Sequence, residues 1–159
     1  MRRSSPVFRG MLRTIGAFPE VRVMVAPLPE TRPERPLLGI TTFGIGRTNL
    51  VASIRVAVDY RDPNRSLEAL AHEFAHVVEA SCVADVVSTA DLASELRRRS
   101  LHAGNNPPGA MIETPFAVDL GRRVMRERAG RVPAPRDEGI EVGRCPQQQI
   151  LWAGGSGER

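Results

Sequence analysis

Five consecutive residues, His72-Glu73-Phe74-Ala75-His76, combine the residue types and spacing that metal-assisted hydrolysis needs. On a helix, positions four apart lie on one face, one turn apart, so His72 and His76 can offer ring nitrogens to the same ion. Glu73 stands one position round the helix. It is close enough to a water on that ion to take its proton, and too far round to replace a ligand. Zinc suits two imidazoles and one further protein ligand with a fourth position left open. The chain has 3 histidines, and this motif uses two of them.

A third ligand has four candidates. Glu113 leads them: Glu113, Phe116, Ala117, Leu120 and Val124 follow helical spacing, which puts this carboxylate at the N-terminal end of a buried stripe. A carboxylate facing a core needs a partner, and a metal is one. Thr114-Pro115 offers a second reading, with Thr114 as helix cap and Glu113 exposed ahead of it. Asp119 falls on the polar side of the same helix, with Pro115, Arg122 and Arg126. Cys82 lies six residues after His76, where one zinc-protease pattern places its third histidine. That pattern turns back at a glycine where this chain has Glu79, so Cys82 reads as a small buried residue instead. His102 stands alone near a helix end, as a surface residue or a group that stabilises a transition state. Glu79 shares the motif's face and reads either as an acceptor orienting an imidazole or as an exposed carboxylate.

The elements that must hold these residues are legible as patterns. Residues 4–18 predict an amphipathic helix with Phe8, Leu12 and Ile15 inward. Val21 to Ala26 predicts a strand, Pro27 to Pro36 a loop, and Leu38 to Phe43 a second strand, with Gly44 and Gly46 marking a turn. Leu50 to Tyr60 predicts the clearest strand, its alternate residues Ala52, Ile54, Val56, Val58 and Tyr60 facing one way. Asp62-Pro63-Asn64 ends it and offers helix-start signals. A helix is expected over 66–82 with Leu67, Leu70, Phe74, Val77 and Val78 inward. Others are expected over 90–101, capped by Ser88 or Thr89, and over 112–128, with a loop at 105–109. Gln149 to Ala153 could add a strand.

The stretches Leu70–Val78 and, more loosely, Glu113–Gly121 resemble zincin-type metallopeptidases, the second being similar to the glutamate helix of the gluzincin branch. The resemblance implies His72, His76 and Glu113 as zinc ligands and Glu73 as general base and acid. It implies a small α+β domain: a short twisted sheet packed on the active-site helix and on a downstream glutamate helix. It also implies that the strand before the active-site helix, here Leu50 to Tyr60, is an edge strand that binds an extended peptide by strand addition. The partner it implies is a peptide or protein substrate.

Composition bounds the alternatives. The 159 residues suffice for one domain with a core, read as residues 1–130 with a catalytic unit over about 50–128, followed by a Pro/Gly-rich extension over 131–159. All 22 basic residues are arginine and the net charge is +4, which permits weak attraction to polyanions. No recognisable nucleic-acid motif accompanies that charge, so a nucleic-acid binder ranks last. A non-catalytic zinc-binding regulator, meeting a partner through the helix around Arg97 to Arg99, is the main competitor to a peptidase. Two cysteines are too few for a disulfide scaffold, and no secretory or membrane-spanning pattern is visible, so a cytoplasmic location is expected.

Overall fold

A computed structural model describes residues 5–29, 37–83, 87–100 and 111–130. They form four helices and one three-stranded mixed sheet, an α+β fold. The expected strand at 149–153, the extension over 131–159, the loop at 105–109 and His102 lie outside the described residues.

Helix α1 (Pro6–Gly16) begins where Ser5 accepts the Phe8 N–H at 3.1 Å and proline fills the first helical position. Its inward face is Val7, Met11, Thr14 and Ile15. Phe8, partly buried, packs on the core against Phe74 as expected, but Leu12 is 43% exposed, because the fully buried stripe runs through positions 7, 11 and 14–15. A carboxylate of the last helix, Glu127, accepts from the Ser5 hydroxyl and so ties the two ends of the described chain together.

Strands β1 (Val21–Pro27), β2 (Gly39–Ile45) and β3 (Leu50–Val56) lie in the order β1-β3-β2. β1 runs parallel to β3, and β2 antiparallel to it through the turn closed by Gly46 N–H to the Asn49 carbonyl at 2.8 Å. β3 is therefore the central strand, which corrects the expectation that it forms an edge. It also ends at Val56, leaving Val58 50% and Tyr60 90% exposed although their alternation continues the strand pattern. The pairing simply runs out: Ala57 N–H to Leu38 O is the last bond on the β2 side. Beyond it the Asp59 carboxylate accepts the Arg61 and Asp62 N–H groups, turning the chain instead of extending it.

Helix α2 (Pro63–Ser81) follows at once, capped by Asp62, whose side chain accepts from Asn64 and Arg65. It lies across the sheet face carrying Ala52, Ile54 and Val56, and α1 and α4 (Pro115–Arg128) pack against it. Its inward residues Ala71, Phe74, Ala75, Val77 and Val78 are buried, and Leu67 and Leu70 partly so. Burying each of the larger ones contributes about 1.5–3 kcal/mol, which makes α2 the axis of the core. Helix α3 (Thr89–Arg98), capped by Ser88, buries Leu92 and Leu96 in a smaller cluster with Phe43 and Ile112. Among the described residues, no helix is long and apolar enough to cross a membrane.

Candidate metal centre

The motif sits in the middle of α2, where the helix crosses beneath β2. His72 and His76 turn their Nε2 atoms toward each other at 3.2 Å. Glu113 Oε2 stands 3.1 Å from His72 Nε2. The three ligand atoms all lie within 4.8 Å of one another, and among the described residues they are the one such group of three. A tetrahedral ion about 2.0–2.1 Å from each donor sets neighbouring donors roughly 3.3 Å apart, so the two short separations are compatible with a small metal ion.

Glu113 combines the two readings of its position: it precedes the helix, as the Thr114 cap reading had it, and still meets the histidines. α4 starts at Pro115 with Thr114 as its cap, so Glu113 precedes the helix by two residues instead of standing on its first turn. The stripe Phe116, Ala117, Leu120 and Val124 does face the core as the spacing requires. The carboxylate at its head comes from the extended lead-in, whose direction the Thr114-Pro115 pair sets. Close packing of the two helices brings that lead-in to α2: a Cβ on Gly121 would lie 3.2 Å from the Glu68 carbonyl and 3.4 Å from His72 Cβ.

Glu73 is buried against the first half of β2. Its Oε2 accepts from the Thr41 hydroxyl at 2.6 Å, and Gly39 leaves the space it occupies, since a Cβ there would lie 2.6 Å from Oε1. Burial holds its carboxyl above the usual glutamate range, and the Thr41 hydrogen bond and the neighbouring histidines oppose that rise. Burial alone would discourage protonation of His72, but the hydrogen bond and charge of Glu113 outweigh it and raise the ring above the ordinary histidine value.

Behind the ligands, His76 Nδ1 meets Glu79 Oε2 at 3.1 Å, and Thr114 Oγ1 donates to the same oxygen at 2.8 Å. Glu79 is only 3% exposed, so of the two readings the buried imidazole acceptor is the one the geometry gives. The remaining candidates stand apart. The Asp119 side chain is 58% exposed and faces Arg123 and Arg126 at 3.9 and 3.8 Å. Cys82 caps the C-terminus of α2, about 9 Å along the axis from His76 because the helix continues without the glycine turn. Arg98 and Arg99 both close on Glu95, at 2.6 and 2.7 Å, so two charges of the basic run already have an anionic neighbour.

Two clefts meet at this group. One, of about 340 Å³, lies between β2 and α3 and is lined by Ile40, Phe43, Leu92, Ala93, Leu96 and Ile112 beside Glu73 and His76. The other, of about 220 Å³, continues past Gly39, Leu38, Arg65 and Glu68 on the far side of His72. β2 borders both. Its ladder bonds extend to the Leu38–Ala57 and Gly46–Asn49 pairs, so residues 38, 40, 42, 44 and 46 bond to β3. The N–H and C=O groups of Gly39, Thr41, Phe43 and Ile45 therefore point to the outer edge, which has no strand partner among the described residues.

Sequence reasoning did not reach Gly39 and Thr41, which lie over thirty positions from Glu73 and meet it through the packing of α2 against β2. Thr114 was visible as a cap but not as a partner of Glu79. No protein-family model matches this chain, and no curated protein or solved structure does so either. The site itself consists of two imidazoles and a carboxylate able to hold a metal, with a buried glutamate beside them and a cleft on either side.

Proposed function

We propose that the chain is a zinc-dependent peptidase. The observation that supports this most is the convergence of His72 Nε2, His76 Nε2 and Glu113 Oε2 next to a fourth group, Glu73, that has no place in the ligand set and is fixed by its own partner, Thr41. Zinc is the metal that best suits two imidazoles and a carboxylate, and when bound it acidifies a water and polarises a substrate carbonyl.

The chain's own residues supply the rest. Glu73, held by the Thr41 hydroxyl, takes the proton from the attacking water and returns it to the leaving amide nitrogen. The edge of β2 that has no strand partner among the described residues receives an extended peptide through the outward groups of Gly39, Thr41 and Phe43, the part first expected of β3. The apolar wall of Phe43, Leu92, Leu96 and Ile112 favours a bulky apolar side chain beside the cleaved bond.

Glu73→Gln tests this reading. The variant should retain one zinc per chain by elemental analysis and lose peptide hydrolysis by about 10²-fold or more. Equal turnover by wild type and variant would end the proposal. Zinc bound by a wild type that cleaves no peptide would instead favour a zinc-holding regulator.

A further inference from the structure

Thr114 occupies a position that no ligand assignment explains. Its hydroxyl is fully buried and uses both of its hydrogen-bonding capacities. As acceptor it takes the Ala117 N–H at 3.2 Å, capping α4. As donor it meets Glu79 Oε2 at 2.8 Å, across 35 positions of sequence. That same oxygen faces His76 Nδ1 at 3.1 Å. Thr114 is also the residue next to Glu113, so one hydroxyl lies between the second histidine's support and the lead-in that carries the carboxylate.

We infer that Thr114 is a positioning residue that sets two of the three metal ligands through one buried hydroxyl. Through Glu79 it fixes the His76 ring with its Nδ1 proton inward, which leaves the Nε2 lone pair for the metal. Through the cap it fixes where the backbone enters α4, and hence where the Glu113 side chain starts. A cap alone would need no carboxylate, and a buried carboxylate alone would need no cap. The inference rests on the metal-site reading above, and its test separates the two.

The test is zinc affinity, measured by competition with a chromophoric chelator on the full chain. Thr114→Val should weaken zinc binding about 10- to 100-fold, the range typical for removing a group behind a metal ligand, while Thr114→Ser should stay within about threefold of wild type. Glu79→Met should weaken binding similarly. In that background Thr114→Val should cost less than about half, on a logarithmic scale, of what it costs alone, because the two act through one oxygen. Wild-type affinity in Thr114→Val, no rescue by serine, or full multiplication of the two effects would each overturn the inference while leaving the metal site standing. Absence of zinc binding by the wild type would overturn both. If Thr114→Val fails to fold, the Thr114 hydroxyl proton of the zinc-loaded wild type decides: slow exchange with solvent is expected, and fast exchange would overturn the inference.

Discussion

The proposed role of Glu73, accepting a proton and handing it on, requires a carboxylate held in place at each step. Glu73 is held by two residues of β2, one that grips and one that makes room. Thr41 donates to Oε2, and Gly39 lets the side chain lie against the strand backbone. Gly39→Ala would put a methyl carbon 2.6 Å from Oε1 and 2.8 Å from Cγ, so the glutamate must move. A displacement of that size should lower kcat/KM for peptides by roughly 10- to 100-fold. The atoms nearest that methyl all belong to Glu73, which is outside the proposed ligand set, so zinc affinity should stay within about threefold. Steady-state kinetics alongside chelator competition checks both halves, and unchanged kinetics would mean that Glu73 is not held by this strand. His72, Glu73 and His76 were legible because helix geometry alone relates them. Gly39 and Thr41 were not, because what joins them to Glu73 is the packing of α2 on β2, which no local pattern encodes.

The elements show the same division between local and distant causes. Asp62, Ser88 and Thr114 announce their helices through capping chemistry a few residues long, and all three do cap. The strand at Leu50 was legible by alternation, but its end and its place in the sheet were not, since Val58 and Tyr60 keep the period after pairing has stopped. Glu113 is the instructive case. Its spacing from Phe116 and Leu120 suggested a helical carboxylate, and the residue does reach the histidines, but from ahead of the cap, brought there by the packing of α4 on α2. Gly121 sets that packing. Gly121→Val should cost about 1–3 kcal/mol by urea denaturation, because its Cβ meets the Glu68 carbonyl at 3.2 Å, a backbone atom that cannot swing aside. An unchanged midpoint would rule out the close approach. On the other side of the site, Ala93 of α3 lines the larger cleft. Ala93→Phe should raise KM for peptides with a bulky apolar side chain by roughly tenfold or more, with smaller effect on peptides carrying alanine there. Equal changes for both would mean that this cleft does not read the substrate side chain.

Across the whole molecule, the proposed ligands come from two segments that the chain does not otherwise join at this point. His72 and His76 belong to α2, the axis of the core, while Glu113 belongs to the lead-in of α4. An ion held by all three would fasten the lead-in to the core, so its binding energy would add to the folded state and not to the unfolded chain. At zinc concentrations about 100 times Kd that linkage is worth about 2.7 kcal/mol. For a chain of this length it should raise Tm by roughly 5–11 °C, and excess EDTA should reverse the rise. Helix packing and the Ser5–Glu127 tie do not depend on the ion, so the chelated protein should still melt cooperatively at the lower temperature. His76→Ala should remove most of the zinc-dependent shift, and Glu113→Ala should shrink it, since the remaining two ligands lie on one helix and no longer bridge the segments. Calorimetry with and without zinc measures all of this in one set of scans. A wild-type Tm indifferent to both zinc and EDTA would remove the metal centre, and the peptidase with it. A full shift retained by Glu113→Ala would leave the ion on α2 and return the third ligand to an open position.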